Sequence, residues 1–559
     1  MTSPRYDVIV VGSGAAGSFA AKELAEQGLS VLVLEAGPKL EPADVQLRKG
    51  RERSHTALFP RIKASLLGQP VQARVAFFKE QIRHFFVNDW MHGYTTPKNR
   101  PFLWIRGRQT GGRLHVFGRV LFRWSDEDFR GKSRGMGGVD WPFSYADLAP
   151  FYEEVERFTG ICGNHDGVDS APDGIMAEAA TLTPEEKGFR SAIKARWPDR
   201  QAIAWRFNRY KRSPVPAALE AALATGRTTL QSDTIAVCIE TDAATGHATG
   251  LTCVDRKTRR RYTISAQAVV VCASPIESIR LLLNSRSVRH PAGLGNGSDV
   301  LGRYFMDQCA SLMFGRWPAS VREGEVETLP QHPFFGPTGG IYVPRYENIG
   351  DQRNPAFVRG YSYQGSIGRY GAADAQGYFP VTIMAFGEML PYQDNRVTLN
   401  PSRKDRWGIP VPHISCGVHA NERAMLQQQI QDCADMIESG GGVVDFWASP
   451  LGLGQKGTGL YPERSWPVRW LLRKMFPKSL IMGAAIHESG GARMGDNPKT
   501  SYLNAYGQCW EVPNVYVTDA SSFPTGGALG TTLTVMAMSV RACRHLAGEL
   551  KAGRFRELG

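Results

Sequence analysis

At 559 residues the chain is too long for one ordinary core and calls for about two or three domains. A 42% hydrophobic fraction with 21% charged residues and 60 glycines excludes a disordered chain and describes a globular one rich in tight turns. The formal charge of +13 comes from scattered Lys and Arg rather than from one basic block, which speaks for solubility and against a nucleic-acid partner.

From the N-terminus, MTSPRYDVIV runs straight into an apolar strand, Tyr6 to Val11, without the charged, apolar and cleavage zones of a secretory signal. Helical periodicity from Ser18 to Gln27 then places GSGAAG at a strand-to-helix turn. In that setting Gly12 permits the tight turn, Gly14 lets backbone approach a pyrophosphate, and Gly17 lets helix and strand pack closely. The helix start adds unpaired N–H groups and the positive end of a dipole. A second strand, SVLVLE, ends in Glu35, eighteen residues after Gly17, where a carboxylate accepts hydrogen bonds from ribose hydroxyls and repels a 2′-phosphate. Together these parts predict a dinucleotide site, without choosing between NAD and FAD.

Farther along, SLLGQPVQARVAFFKEQIRHFF (65–86) reads as a helical lid within an insertion. The densest basic run, RKTRRRY (256–262), reads as a solvated hairpin. GYFPVTIMAFGEML (377–390) and RVTLNP (396–401) suit strands, and NERAMLQQQIQDCADMIES (421–439) reads as one helix. PVRWLLRKMFPK, from Pro467, is basic and amphipathic, suited to a membrane surface or another subunit, or else to a lid or core-packed helix. No apolar run of about eighteen residues occurs, so no bilayer-spanning helix is predicted. Nine cysteines without a C-x-x-C pair predict neither a metal site nor a disulfide framework, and a reducing, cytoplasmic setting follows.

The N-terminal unit, TGGRLHVFGRV (110–120), VVVCASPIESIRLLLNS (269–285), GNGSDVLGRYFMDQ (295–308), DNRVTLNP (394–401) and the C-terminal stretches HESGGARMG and VTDASSFPTGGALGTTLTVMAMS come in the order of one known family. The chain resembles the glucose-methanol-choline (GMC) family of FAD oxidoreductases over nearly its whole length. DWPFSYADLAPFYEEVERFTGICG (140–163) and HESGGARMG look more like its sugar-oxidising branch, which includes pyranose oxidase and glucoside 3-dehydrogenase. The resemblance implies an α/β fold in which a Rossmann-like FAD domain (1–45, 100–163, 226–308 and 481–559) is interleaved with a substrate domain of antiparallel sheet and helices (164–225 and 309–480), with 46–99 as lid or insertion. It also implies that Gly111 and Gly112 open a loop beside the flavin, that the strand at Ala236 and Val237 presents backbone to the adenine, and that Asp519 lies near the pyrophosphate and ribityl chain. Each has a plainer reading, since paired glycines are turns and an Asp before Ala-Ser is a helix cap.

Oxidising an alcohol takes a base for the hydroxyl proton and a C–H bond held against the flavin's hydride-accepting nitrogen. His487, in H-x-x-G-x-x-R-M-G, matches the family's first active-site histidine, and imidazole is suited to taking and releasing a proton near neutral pH. The family's second residue, a His or Asn about forty positions on, is Gly530 here, so one hydrogen bond to the developing alkoxide is lost or relocated. Thr531 and Thr532 are the hydroxyls nearby, or simply turn and helix residues; Thr532 is also expected near the flavin. Relatives that bind FAD covalently use a histidine four residues after the paired glycines; that place is Val116, with His115 one position early, so noncovalent FAD is expected. Phe122, Trp124, Tyr361, Tyr363 and Phe386 are aromatic candidates to line a carbohydrate site, against core packing as the plainer role.

The expected activity is FAD-dependent oxidation of a CH–OH group, a secondary hydroxyl of a sugar or glycoside, with electrons passed to O2 or another acceptor. The alternatives are a lyase of the hydroxynitrile-lyase kind on the same fold, and a redox-dead flavoprotein binding subunit. The resemblance also allows a small electron-transfer or export partner subunit, and through it a periplasmic location.

Overall fold

The computed structural model describes residues 6–555 except 47–57, 210, 212, 321–330, 333–335, 456–465, 468, 469, 471–473 and 475–479. Strand β1 (Tyr6–Val11) leads through the glycine turn into helix α1 (Ala15–Glu26) and strand β2 (Val31–Leu34). β1 lies parallel between β2, in the register Val10↔Val33, and the long strand Arg261–Val271, in the register Val10↔Val270. Thr228–Gln231 extends the sheet beyond β2, and Val515–Val517 closes it on the far side. Val8 to Val11 and Val31 to Leu34 are buried throughout, as unbroken apolar runs in a parallel sheet covered on both faces must be. α1, Ala217–Ala224 and the C-terminal helix Thr532–Lys551 pack together on one side, and Pro275–Asn284 lies beside the C-terminal ends of the strands.

From β1 the chain builds outward first through β2 and Thr228–Gln231, then in the opposite direction through Arg261–Val271 and Val515–Val517. The order therefore reverses between β1 and Arg261–Val271, and the crevice at the carboxyl ends of these two strands is where ligands of doubly wound sheets bind. The first half of Arg261–Val271 pairs instead with Ala248–Asp255, and the basic run occupies the exposed tip of that hairpin.

The second sheet is antiparallel throughout. Its strands run Gly452–Gln455, Val443–Ser449, Cys309–Pro318, Tyr378–Gly387, Tyr361–Ile367, Ile341–Val343 and Ile203–Ala204 in spatial order. The helix Ala420–Glu438 covers one face. Alternation along Tyr361–Ile367 sends Tyr363 to that helix, where its hydroxyl donates to the Gln429 carbonyl at 2.9 Å, while Ser362 reaches the opposite way and donates to the Ala528 carbonyl at 2.6 Å.

Two expectations need correction. The stretch 65–86 is not one helix: α-helix covers Leu58–Leu66, Gly68 takes φ +94° and Pro70 follows, and only short 3₁₀ turns succeed them, Gln72–Arg74 and Glu80–Phe85. Also, the hairpin Arg396–Lys404 with Pro410–Ser415, expected in the substrate domain, packs on the helix Pro275–Asn284 of the first layer. Arg280 fastens it there with an ion pair to Asp405 at 2.7 Å and a hydrogen bond to the Pro410 carbonyl at 2.8 Å. The basic stretch from Pro467 falls largely outside the described residues. Among the described residues no helix is long and apolar enough to cross a membrane.

Candidate active site

The glycine turn sits at the carboxyl end of β1, against Cys272 at the end of its neighbour. Gly12 takes φ +105°, and a Cβ there would lie 2.5 Å from the Cys272 carbonyl oxygen. A Cβ on Gly17 would fall 1.8 Å from the Gly12 carbonyl, so helix and turn touch backbone to backbone. Gly14 is different: nothing lies within 4 Å of its Cβ position. The open side of that turn looks toward the paired glycines, and a Cβ on Gly112 would stand 4.0 Å from the Gly14 Cα.

Ser13 ties the two glycine loops together. Its hydroxyl donates to Glu35 Oε2 at 2.6 Å and accepts from the Gly111 N–H at 3.0 Å. Glu35 Oε1 accepts from the Gly37 N–H at 2.9 Å, and burial holds the Glu35 carboxyl above its ordinary range. Val237 is the extra residue of a bulge between Ala236 and Cys238, so the cross-strand ladder skips it. It packs with Ile235, Val254, Trp407 and Ile409 in a small apolar cluster that Ala36 also joins. Asp519 caps the short turn Ala520–Ser522 by accepting from the Ser521 N–H at 2.9 Å, and also accepts from Ser278 at the start of Pro275–Asn284. Two facing glycine loops with open backbone, an acid at the end of β2 and a bulged strand fit an extended dinucleotide.

Val116 is buried with Phe85, Leu103 and Ile105 beneath the insertion. His115 turns back into its own loop, with Nε2 2.9 Å from the Thr110 carbonyl and its ring stacked on Phe85 at 5.2 Å. Burial pushes its pKa down to about 4.

His487 stands where the two layers meet, at the end of a tight turn. Ile486 before it adopts φ +62°, a strained conformation for a β-branched residue. Asp307 holds this turn from behind, accepting the Gly483 N–H at 2.7 Å and the His487 N–H at 3.0 Å. Burial, then the neighbouring Glu488, pushes Asp307 up to about 7. Arg113, next to the paired glycines, pairs with Glu488 at 2.8 Å and donates to Ser274 Oγ at 3.0 Å, so the glycine loop and the base segment are fastened to each other.

Gln308 fixes the state of the imidazole. Its amide nitrogen donates to the carbonyls of Gly527 and Leu529, at 2.8 and 2.7 Å, which leaves Oε1 facing His487 Nδ1 at 2.6 Å. An acceptor there requires Nδ1 to carry the proton, and Nε2 is left as the lone-pair nitrogen. Burial, followed by the charge of Arg113, pushes His487 down to about 4, so the ring is neutral at pH 7.

Nε2 points toward Gly530, whose Cβ position would lie 4.0 Å away. The loop carrying Gly530 is held on every side: Gln308 takes two carbonyls, Ser362 the Ala528 carbonyl, and Trp124 Nε1 donates to the Gly530 carbonyl at 3.2 Å. Thr531 and Thr532 begin the C-terminal helix, half-buried, and no side chain caps that end. Of the aromatic candidates, Phe386 reaches the base, its ring 5.1 Å from that of His487. Tyr361 and Tyr363 face the helix Ala420–Glu438 instead, and Phe122 stacks on Tyr342 at 4.2 Å. Asp307, Gln308 and Arg113 were not singled out from sequence; the signals available were that Asp307 and Gln308 end the family-like piece GNGSDVLGRYFMDQ and that Arg113 lies in TGGRLHVFGRV.

The C-terminal part of the chain, residues 391–539, matches the GMC oxidoreductase profile, and residues 7–43 match an FAD binding domain. The chain carries a GMC oxidoreductase C-terminal domain and an FAD-binding domain. It is 28% identical to a 2-methyl-1,2-propanediol dehydrogenase of Mycolicibacterium austroafricanum, over 98% of this chain and 96% of that one. It is 27% identical to a paromamine 6'-oxidase of Streptomyces fradiae, over 98% and 92%. Further GMC relatives bear the names C-glycoside 3-oxidase and fructose dehydrogenase large subunit. Pyridoxine 4-oxidase from Mesorbium loti shares the fold, with a TM-score of 0.61 at 16% identity over 97% of this chain and 99% of that one. FAD is the cofactor of this flavoprotein.

Proposed function

We propose that the protein oxidises a CH–OH group of a carbohydrate or glycoside, a secondary hydroxyl, with His487 as the base. The observation that carries this is the fixed tautomer of His487: Gln308 holds the proton on Nδ1, so Nε2 faces Gly530 as a neutral acceptor. Bound FAD supplies the hydride acceptor. Glu35, Gly14, Gly111, Gly112, Val237, Asp519 and Thr532 would hold it. The position of His115, spent on Thr110, and the apolar Val116 favour noncovalent attachment. Names carrying a ring position, such as C-glycoside 3-oxidase and pyranose 2-oxidase, support the sugar substrate, and the name fructose dehydrogenase large subunit supports a partner subunit.

The test is anaerobic mixing of the holoenzyme with free sugars, glycosides, polyols and simple alcohols while flavin absorbance is followed. Bleaching by carbohydrates is the expected result. Bleaching by none of the alcohols would point instead to a lyase with non-redox FAD.

A further inference from the structure

Gly530 is a glycine that the fold does not require. Its backbone is not left-handed, and a Cβ would meet only the Val120 carbonyl oxygen at 3.7 Å and His487 Nε2 at 4.0 Å, both ordinary van der Waals distances. Contrast Gly527, three residues earlier, which takes φ +61° and would drive a Cβ to 2.8 Å from the Trp124 ring. The notch at Gly530 is therefore free to answer to the substrate.

Both polar atoms that border the notch are acceptors. Val120 bridges to Phe207 as a non-hydrogen-bonded pair, the bonds passing instead from Leu121 N–H to Arg206 and from Asn208 N–H to Arg119. No hydrogen bond from the described residues reaches the Val120 carbonyl oxygen. The Nε2 lone pair of His487 is the second acceptor. The Trp124 and Gln308 bonds hold the loop so that the notch keeps its shape. Two acceptors bordering one small space call for two neighbouring hydroxyl donors.

We propose that Gly530 makes the site a reader of vicinal diols: one hydroxyl gives its proton to His487 Nε2 while its carbon loses hydride to FAD, and the adjacent hydroxyl donates to the Val120 carbonyl. The second hydroxyl keeps its proton and is unchanged by the reaction. This rests on the oxidation reading above and narrows its substrate to alcohols bearing a free hydroxyl on the next carbon.

The test compares anaerobic flavin bleaching by cyclohexane-1,2-diol and cyclohexanol, and by methyl glucoside and its 2-, 3- and 4-deoxy forms, in the natural holoenzyme and in Gly530→Ala. In the natural enzyme, the apparent second-order rate for the diol exceeds that for the mono-alcohol by about tenfold or more, and at least one deoxy sugar is slowed by a similar factor. In Gly530→Ala, whose added methyl enters the notch, the ratio falls to about threefold or less. Equal rates for diol and mono-alcohol, with deoxy sugars matching the parent, would overturn the inference while leaving alcohol oxidation in place. A ratio that survives in Gly530→Ala overturns it too. No bleaching by any of these alcohols removes the oxidation reading itself.

Discussion

The cofactor turn and the base site are built in opposite ways. The turn at Gly12 to Gly17 is mainly local: β1, α1 and β2 are consecutive and Gly17 is demanded by the turn itself, with Cys272 at the end of the adjoining strand as the remote atom that demands Gly12. The base site is assembled from distant pieces, with His487 and Gln308 separated by 179 positions and Gly530 held by Trp124 from 406 positions away. Local construction tolerates change elsewhere in the chain, whereas the remote construction lets one side chain, Gln308, set the position of a loop and the tautomer of a base together.

The largest test of that contrast is removal of the base. His487→Ala should slow flavin reduction by substrate by about a hundredfold to ten-thousandfold while FAD stays bound, because the cradle is built elsewhere. Loss of FAD along with activity, measured by absorbance of the purified variant, would mean that the two regions are not separable. Gln308→Leu sharpens the comparison: it frees Nδ1 and two carbonyls at once, and a displacement of about 1 Å costs on the order of a hundredfold in rate. Gln308→Glu places a carboxylate on the imidazole and raises the pKa of His487. The acid limb of kcat/KM, expected near pH 4 in the natural enzyme because His487 must be neutral to accept a proton, then moves upward. An unmoved pH profile in Gln308→Glu would show that the glutamine does not govern the base.

The smallest effect is on stability. His115 has a folded pKa depressed to about 4, so the unfolded chain binds more protons below its ordinary pKa of about 6.5. Its contribution is whole above about pH 6.5 and declines by about 1.4 kcal/mol per pH unit toward pH 4. His115→Phe should flatten the fall of denaturation midpoint over that window by this amount, measured in buffers of constant ionic strength, with FAD content unchanged.

The cofactor cradle was legible because its signals are contiguous: apolar run, spaced glycines and terminal acid occupy thirty residues of sequence. His487 and the missing side chain at Gly530 were legible as positions in a motif. What the motif withheld was everything set by tertiary contact: the amide orientation of Gln308, the turn held by Asp307, the Arg113–Glu488 pair and the Val120 carbonyl, which no hydrogen bond from the described residues reaches. The single-helix reading of 65–86 failed for a local reason, since Gly68 and Pro70 outweigh the apolar period around them. The hairpin Arg396–Lys404 was misassigned because neither its alternation nor its turn reports which layer it packs on; Arg280 and Asp405 decide that.

The strand Val515–Val517 and the helix Thr532–Lys551 complete the layer that the first residues begin, the helix lying against α1. During synthesis, then, the opening βαβ unit must wait for Val515–Lys551 before its sheet and helix layer are whole. A nascent chain arrested short of Val515 would emerge colourless.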